Sequence, residues 1–326
     1  MTNILVTGGS GFVGSAVVDR LIQDRNNFVV IVDDLSTGDI RKLPDNKYKN
    51  WRFVKADVNN YRDISEVMLG LSFDYVFHYA ALVGVLRTQE NPVKVLNDIE
   101  GIRNVLNLCK STGVKRVFFS SSSEVYGEPV ELPQHEETTP LNSRVPYAVV
   151  KNIGEAFLRS YHKEYGLEFT IFRFFNTYGP KQSRDFVMSK FISKALKNED
   201  ITIYGDGSQT RTFCYVDDNV DACLKCLTDN LYVNDVLNIG GEKEVQIIDF
   251  GIGIPEKDIP KLFNTFFRAS NTEGIQGTGL GLYIVKTFTE RNSGTIQVVS
   301  KLGKGTKVTL FFPLLNSHQN EESTNN

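Results

Sequence analysis

A tyrosine and a lysine four residues apart are the side chains in this sequence best suited to chemistry. Tyr147 and Lys151 lie in the segment Tyr-Ala-Val-Val-Lys, and on a helix this spacing places both on one face. A free phenol has a pKa of about 10, so acting as a base near neutrality requires roughly 4 kcal/mol of extra phenolate stabilisation. A neighbouring ammonium supplies part of it. Tyr147 is therefore predicted to accept a proton from a substrate hydroxyl, although solvated helix faces also carry such pairs.

A run of four serines, residues 120–123, follows a predicted strand. Open α/β sheets place their chemistry after the strands, so the Ser122 hydroxyl is a candidate to bond an alcohol that becomes a carbonyl. The alternative is a polar turn, which serine clusters favour. Glu124 lies two residues further along the chain. It is a candidate acid or base, and an exposed loop carboxylate is an equally good interpretation.

Glycines with the spacing of a dinucleotide-binding turn lie between the first predicted strand and the first predicted helix. Their missing side chains let the backbone approach a pyrophosphate, which would bind the N–H groups at the helix N-terminus. Strand, turn and helix follow one another in the required order. The glycines are Gly8, Gly11 and Gly14.

Two acids follow the next predicted strands. Asp33 ends the second strand, where its carboxylate would accept hydrogen bonds from ribose hydroxyls and repel a 2′-phosphate; this favours NAD over NADP. Asp57 and Val58 follow the third strand and are predicted to contact adenine. A helix N-cap is the alternative for Asp57. An oxidised nicotinamide ring beside Tyr147 would add a second positive charge that favours its phenolate.

Short β-rich runs alternate with amphipathic stretches over the first half of the chain. Brief apolar runs bounded by turn residues are typical of strands buried in a parallel sheet. Their alternation with helices predicts a doubly wound α/β sheet, with a smaller lobe after Gly179 over its carboxyl edge. The predicted strands are Ile4–Val6, Phe28–Val32, Arg52–Val54, Tyr75–Phe77, Arg116–Phe119 and Thr170–Arg173, and the predicted helices are Ser15–Asp24, Ile64–Leu69, Gly101–Ser111 and about Tyr147–Tyr165.

These motifs together resemble the extended short-chain dehydrogenases/reductases of the nucleotide-sugar epimerase/dehydratase type. The resemblance implies a Rossmann NAD-binding domain over residues 1–178 and part of a substrate lobe over residues 179–245. It implies an NAD-bound enzyme that converts a nucleotide-sugar, with a UDP-sugar favoured, through a 4-keto intermediate. The matching segments are Thr7–Gly14, Asp33, Asp57, His78–Ala81, Ser120–Gly127, Tyr147, Lys151, Arg173–Pro180, Tyr204–Gly207, Thr210–Phe213 and Tyr215–Asp218.

The same resemblance implies roles for individual residues. Asn176 and Arg211 would hold the substrate, and the guanidinium of Arg211 suits a diphosphate. A homodimer is implied, formed through the helix of Tyr147 and its neighbour. Contacts to NAD are implied for Gly8, Gly11, Phe12, Val13, Gly14, Asp33, Asp34, Asp57, Val58, Ala80, Ala81, Ser120, Tyr147 and Lys151.

The subclass depends on Ser123 and Glu124. UDP-glucuronate decarboxylases and the dehydratases resemble this chain in carrying an acid two residues after the serine. Simple 4-epimerases need only oxidation, rotation of the keto-sugar and reduction. The dehydratase pattern has a second acid where this chain has Ser123. A UDP-sugar 4-epimerase is therefore favoured, a UDP-glucuronate decarboxylase is the alternative, and a related dehydratase is less favoured.

The chain changes character near Gln246. Residues 246–315 resemble the second half of a histidine-kinase ATP-binding domain, which implies a partial α/β sandwich. The asparagine-bearing helix that completes that family's Mg-ATP site is missing, and so is the phosphoacceptor histidine helix. Neither ATP hydrolysis nor kinase activity is expected. The matching segments are Asp249–Pro255, Leu262–Arg268, Gly277–Leu282, Ser300–Thr306 and Val308–Pro313.

Residues 246–315 stand where the extended family continues with helices that complete its substrate lobe. This leaves two further alternatives to an active epimerase. One is a chimeric scaffold that binds NAD but has impaired catalysis, and the other is an ATP-binding regulatory module. The polar residues 316–326 are predicted to be disordered.

The composition argues against several classes of protein. The 326 residues, 41% of them hydrophobic and 23% charged, describe a globular chain long enough for two domains. A net charge of -3 gives no footprint for nucleic acid, and no apolar run approaches the roughly 18 residues of a membrane span. No leader precedes the first strand, so the cytoplasm is expected. Cys223 and Cys226 are predicted to pack in a helix core rather than to bind a metal.

Overall fold

The computed structural model describes residues 1–128, 130–131, 133–197, 213–241, 246–249, 252–265, 267–272, 281–291 and 295–311. These residues form two compact units, one within residues 1–241 and the other within residues 242–326. Some sequence predictions fall outside the described residues: Arg211, the segment Tyr204–Gly207, residues 277–280 and the tail 316–326.

A parallel sheet forms the centre of the first unit. The strands of this unit are β1 (Thr2–Thr7), β2 (Asn27–Asp33), β3 (Trp51–Lys55), β4 (Tyr75–His78), β5 (Arg116–Ser122), β6 (Glu168–Phe174), β7 (Asn176–Tyr178), β8 (Phe213–Tyr215) and β9 (Asp235–Ile239). Seven of them pair in the order β3-β2-β1-β4-β5-β6-β9, with every adjacent pair parallel. The other two, β7 and β8, pair separately. The doubly wound fold predicted from the sequence is confirmed.

Helices cover both faces of this sheet. They are α1 (Phe12–Leu21), α2 (Tyr61–Gly70), α3 (Val85–Glu90), α4 (Pro92–Leu96), α5 (Asp98–Thr112), α6 (Pro146–Tyr165), α7 (Val187–Leu196) and α8 (Val216–Thr228). One apolar core joins α2, α5 and α6 to one face, and a second joins α1 and α8 to the other. Cys223 and Cys226 lie in the second core, as predicted. No helix among the described residues has the length and apolar character of a membrane span.

Helix α6 lies unusually close to β5, and a glycine permits the approach. A Cβ at Gly154 would lie 2.4 Å from Cζ of Phe119, closer than real side chains come. Pro146 occupies the first turn of α6, and Gly166 ends it in the left-handed conformation with φ of +72°. The buried face of α6 carries Lys151 and Glu155. The close packing therefore brings these two charged side chains against the end of β5.

Strand β5 continues further than the sequence predicted. The predicted strand ended at Phe119, whereas the structure extends it through Ser122, in register with Phe174 of β6. All seven residues of β5 are buried. Because the ladder to β6 satisfies the backbone, the first three serines belong to the strand, and the turn begins only at Ser123.

The second unit is smaller and contains an antiparallel sheet. Its strands β10 (Gln246–Asp249), β11 (Thr295–Lys301) and β12 (Gly305–Phe311) pair in the order β10-β12-β11. Helix α9 (Gly281–Arg291) packs on β11. The carboxylate of Asp258 accepts hydrogen bonds from the N–H and the hydroxyl of Ser270, both at 2.7 Å. This arrangement agrees with the partial α/β sandwich expected from the sequence.

Candidate active site

The order of the strands reverses between β1 and β4, and this creates a crevice at their carboxyl ends. Thr7 and His78 end the two strands in register. The Thr7 hydroxyl accepts hydrogen bonds from the N–H groups of Tyr79 (3.2 Å) and Ala80 (3.3 Å) and lies 2.8 Å from Nδ1 of His78. The hydroxyl hydrogen is therefore directed to Nδ1, which makes the neutral Nε2–H form the one that fits. Ligands of open α/β sheets bind at such a switch point.

The glycine turn lines one side of this crevice. Gly8 has φ of +69°, and a Cβ there would lie 2.6 Å from the Ala80 nitrogen. A Cβ on Gly14 would lie 2.3 Å from the carbonyl oxygen of Gly8. Gly11 is the N-cap of α1 and supplies no side-chain cap, and the first turn of α1 carries no acid. The first N–H groups of α1, which belong to Phe12, Val13 and Gly14, are thus available to a diphosphate.

Asp33 ties the glycine turn to the end of β2. One carboxylate oxygen accepts the N–H of Ser10 at 3.0 Å and the other accepts the N–H of Leu35 at 2.9 Å. Each oxygen keeps a lone pair that can accept from a ribose hydroxyl. Asp34 is exposed, and its side chain accepts from the N–H and hydroxyl of Ser36, so it shapes the following turn. The buried hydroxyl of Ser10 has no partner among the described residues.

The loop after β3 brings Asp57 and Val58 to the same edge of the sheet. Asp57 is half-buried, and its carboxylate accepts the N–H of Asn59 at 2.9 Å. The N-cap of α2 is Asn60, whose side chain accepts from the N–H of Arg62. The alternative interpretation of Asp57 as a helix N-cap is therefore wrong, because the helix begins three residues later than that interpretation requires.

Ser122, Glu124 and Tyr147 come together at the end of β5. The Ser122 hydroxyl accepts the N–H of Glu124 at 3.2 Å, which starts the 3-10 turn Ser123–Tyr126, and Ser122 lies close enough to the Tyr147 phenol to favour the phenol's lower pKa. Ser122 is buried, whereas Glu124 is exposed. The negative charge of Glu124 nevertheless raises the pKa of the Tyr147 phenol. The chain thus places a serine hydroxyl and a tyrosine hydroxyl side by side at the mouth of the crevice.

Lys151 points to Ser120 rather than to the phenol. Its ammonium donates to the Ser120 hydroxyl at 3.3 Å and lies 5.7 Å from the centre of the Tyr147 ring. The Ser120 hydroxyl donates to the carbonyl oxygen of His78, at 3.4 Å. Lys151 is 3% exposed, and burial lowers its pKa to about 8, opposed by the charge of Asp98.

The pKa of the Tyr147 phenol is far above the value that a base needs near neutral pH. Burial raises the pKa of Tyr147 to about 12, the hydrogen bond from Ser122 opposes this rise, and the charges of Glu124 and Asp98 add to it. The sequence predicts that the pKa of Tyr147 is near neutrality when both Lys151 and an oxidised nicotinamide ring lie beside the phenol. Lys151 alone does not achieve that shift, because its ammonium is directed to Ser120.

A buried polar network lies behind the candidate catalytic residues, and the sequence did not predict it. Arg173 and Glu155, each 2% exposed, form a two-pronged ion pair with N–O distances of 3.0 and 2.7 Å. The Ser121 hydroxyl donates to Glu155 at 2.6 Å, and Arg173 donates to the Tyr126 hydroxyl at 2.8 Å. The network fixes the residue before Ser122 and the turn that carries Glu124. The sequence feature that could have indicated this network is Glu155, because it lies four residues after Lys151 and therefore on the same face of the helix.

Of the two predicted substrate residues, Asn176 and Arg211, the structure describes only Asn176. Asn176 begins β7, is half-buried and pairs in register with Phe213 of β8. Arg211 lies outside the described residues. Within the part of the chain that the structure describes, no three His, Cys, Asp or Glu side chains form a group that could hold a metal ion.

Replacement of Gly14 by Ala is expected to abolish detectable NAD binding. The new methyl group would meet the Gly8 carbonyl at 2.3 Å and push the glycine turn away from α1, which closes the space for a diphosphate. Calorimetric titration with NAD measures the effect. Gly70→Ala is the control, because nothing lies within 4 Å of a Cβ at the end of α2. Equal NAD affinity in both variants would show that the diphosphate lies elsewhere.

The chain matches two known protein families. Residues 4–240 match the "NAD dependent epimerase/dehydratase family", and residues 217–316 match the "Histidine kinase-, DNA gyrase B-, and HSP90-like ATPase" family. UDP-glucuronic acid decarboxylase 3 of Arabidopsis thaliana is 34% identical over 266 residues, which are 79% of this chain and 75% of that protein.

Two solved structures are similar in both sequence and fold. The UDP-glucose 4-epimerase of Thermotoga maritima, solved with UDP-glucose, is 34% identical with a TM-score of 0.69, covering 74% of this chain and 78% of that one. The UDP-N-acetylglucosamine 4-epimerase of Methanobrevibacter ruminantium, solved with UDP-N-acetylmuramic acid, is 38% identical with a TM-score of 0.68, covering 74% and 77%.

The open glycine turn, the free N–H groups of α1 and the Asp33 carboxylate fit the cofactor that the family match names. The match covers most of the chain and the whole of the seven-stranded sheet. The chain therefore belongs to the NAD-dependent epimerase/dehydratase family and is an NAD-dependent enzyme of that family.

Proposed function

We propose that this enzyme is a nucleotide-sugar 4-epimerase that acts on a UDP-sugar through a 4-keto intermediate. The observation that carries the proposal is the meeting of Ser122 and Tyr147 at the carboxyl end of β5, on the sheet edge that also carries the glycine turn. The 4-epimerase activities named for the two similar structures support it. Asn176 and Arg211 are proposed to hold the nucleotide-sugar.

In the proposed reaction the chain handles the proton. The glycine turn and Asp33 would hold NAD, which would supply the acceptor and donor of a hydride at C4 of the sugar. Tyr147 takes the proton of the C4 hydroxyl as the C–H bond breaks, so that the oxygen becomes a carbonyl. The Ser122 hydroxyl, which lies near the phenol, would bond that oxygen and hold it close to Tyr147. In the second half of the cycle Tyr147 returns the same proton, so no external acid or reductant is required.

A UDP-glucuronate decarboxylase is the second candidate, and Glu124 separates the two. We expect Glu124→Gln to leave kcat for epimerisation within a few-fold and to move the lower limb of its pH profile to lower pH. The reason is that the Glu124 charge raises the pKa of Tyr147, so its removal lowers that pKa. The profile of kcat against pH is the measurement. A large loss of kcat at every pH would instead make Glu124 an acid or base of the reaction, as the decarboxylase alternative requires.

The assay that tests the function uses two substrates. The full chain with NAD is incubated with UDP-glucose and, separately, with UDP-glucuronate, and products are separated by chromatography. Formation of UDP-galactose from UDP-glucose supports the epimerase. Release of carbon dioxide from UDP-glucuronate supports the decarboxylase. If neither sugar is converted although calorimetry detects NAD binding, the chain is the catalytically impaired scaffold.

The alternative of an ATP-binding regulatory module has little support. The two family matches overlap over residues 217–240, and these residues form α8 and β9 of the first unit. The asparagine of α8, Asn219, is fully buried there and donates to the Thr177 hydroxyl at 2.7 Å. We infer that Asn219 serves the packing of α8 on the first unit and not Mg-ATP binding.

We also propose a homodimer formed through α5 and α6, and a cytoplasmic location. The two helices pack side by side on one face of the sheet. Residues on their outer side are partly apolar, with Tyr165 49% exposed. Light scattering of the purified chain measures the mass in solution directly.

A further inference from the structure

The segment between β7 and α7 carries two ion pairs that the proposed reaction does not use. The ammonium of Lys181 donates to the carboxylate of Asp19 on α1 at 2.6 Å. The carboxylate of Asp185 accepts from the guanidinium of Arg87 on α3 at 2.8 Å. Residues 181–185 therefore form a short connection with an ion pair at each end, which we call the clasp.

The clasp joins the two chain segments that line the crevice. Helix α1 follows β1 through the glycine turn, and α3 follows β4 through the loop that contains Ala80 and Ala81. The order of the strands reverses between β1 and β4. Because the backbone of five residues reaches at most about 18 Å, the clasp limits how far these two walls of the crevice separate while both ion pairs are formed.

The clasp has a defined shape of its own. The side-chain amide of Gln182 donates to the carbonyl oxygen of Thr177 at 2.7 Å and accepts from the hydroxyl of Ser189 at 3.2 Å. Lys181 has φ of +68°, a conformation that a residue with a side chain adopts only where its contacts enforce it. Its ammonium also donates to the carbonyl oxygen of Lys42 at 3.2 Å. These contacts fix the clasp to β7 and α7 and direct Lys181 to α1.

Both ion pairs of the clasp are only partly shielded from water. The side chains of Lys181 and Asp19 are 37% and 38% exposed, and those of Arg87 and Asp185 are 33% and 55% exposed. Ion pairs at such positions are weak and are screened by salt. The clasp therefore opens at small cost, and the fraction of open molecules depends on these charges and on ionic strength.

A dinucleotide in the crevice would contact both walls. The free N–H groups at the start of α1 belong to one wall, and the loop of Ala80 and Ala81 belongs to the other. We propose that the clasp is a gate for the cofactor, which slows both the entry and the release of NAD while its two ion pairs hold the walls together. The inference concerns the cofactor alone and does not depend on which sugar the enzyme converts.

The rates of cofactor exchange test the gate. The full chain loaded with NADH is mixed with excess NAD, and the loss of bound NADH fluorescence gives the dissociation rate constant. Mixing the free chain with NADH gives the association rate constant. In Asp185→Asn, at an ionic strength of about 0.01 M, each constant should rise by about 2–5-fold, the usual contribution of one weak ion pair. The affinity measured by calorimetry should stay the same, because a gate changes both rates by the same factor.

Lys181→Met releases the other end of the clasp and should accelerate both steps as well. The two variants change the net charge in opposite directions, so long-range attraction of the anionic cofactor would move their association rates in opposite directions, whereas the gate raises both. Asp221→Asn is the matched control, because its ion pair with Arg20 joins α1 to α8 and not to α3. Its rates should equal those of the unchanged chain.

Salt gives a further readout. At an ionic strength of about 1 M, where the Debye length is about 3 Å, the unchanged chain and the variant with both changes should exchange NADH at the same rate. A difference that persists in full at this ionic strength would contradict the proposal.

Two results of the rate measurements would overturn it. One is unchanged rates in both Asp185→Asn and Lys181→Met. The other is faster dissociation with unchanged association and a weaker affinity, because that is the behaviour of a damaged binding site and not of a gate.

Discussion

Replacement of Tyr147 by Phe is expected to lower kcat by about 10²–10⁴-fold, the usual contribution of a positioned acid or base. The variant removes the oxygen that transfers the proton and keeps the ring on α6. NAD binding should remain detectable, because of the implied NAD contacts only that of the Tyr147 hydroxyl is lost while the glycine turn and Asp33 are untouched. Interconversion of UDP-glucose and UDP-galactose measures kcat, and calorimetry measures NAD affinity.

Tyr161→Phe is the matched control for this prediction. Tyr161 lies on the same helix, and its hydroxyl donates to Asn107 at 2.9 Å, away from Ser122. This control should retain nearly full activity. If Tyr147→Phe also retained full turnover, the phenol would not be the group that moves the proton.

Local sequence patterns were sufficient to predict the glycine turn and the position of Asp33 at the end of β2. The positions of Gly8 and Gly14 are dictated by contacts of a few ångström within one strand, one turn and one helix. Asp33 contacts the same turn through the N–H of Ser10. Residue type and spacing determine such short-range geometry, so the doubly wound sheet and the glycine turn after its first strand could be predicted from the pattern.

The buried ion pair could not be found in this way. Arginine and glutamate are mostly exposed in proteins, so the residue types of Arg173 and Glu155 do not indicate burial. Each side chain is buried because it lies on the side of its strand or helix that faces the core, and that side depends on how β6 and α6 pack in the fold. Spacing from Lys151 indicated the face of Glu155, but its partner belongs to another element and was not predictable from the sequence.

The electrostatics of Tyr147 were also beyond the sequence. Spacing suggested that Lys151 would lower the pKa of the phenol, whereas burial raises it and the charges of Glu124 in the 3-10 turn and Asp98 of α5 add to the rise. Each of these charges comes from a different element, and their net effect depends on distances and burial. Without cofactor the phenol of Tyr147 is therefore protonated at neutral pH.

Loss of the buried ion pair should have the largest effect on stability. Arg173→Met is expected to lower the free energy of unfolding of the first unit by about 3–5 kcal/mol. The carboxylate of Glu155 would remain 2% exposed with the Ser121 hydroxyl as its neutral partner. Leaving a buried charge without its counter-charge is costly, because the protein interior solvates it poorly. The change should also loosen the turn of Tyr126, which Arg173 holds through a bond of 2.8 Å.

Urea denaturation followed by the fluorescence of Trp51 measures this loss. Trp51 is the only tryptophan of the chain and lies in β3, so its signal reports on the first unit. Arg103→Met is the control, because the exposed pair of Arg103 and Glu100 should contribute only about 0–1 kcal/mol. Combining Arg173→Met with Glu155→Leu should recover most of the lost stability, since the unpaired charge disappears with its partner. If Arg173→Met cost no more than Arg103→Met, the network would not be what holds β5, α6 and the Ser122 turn together.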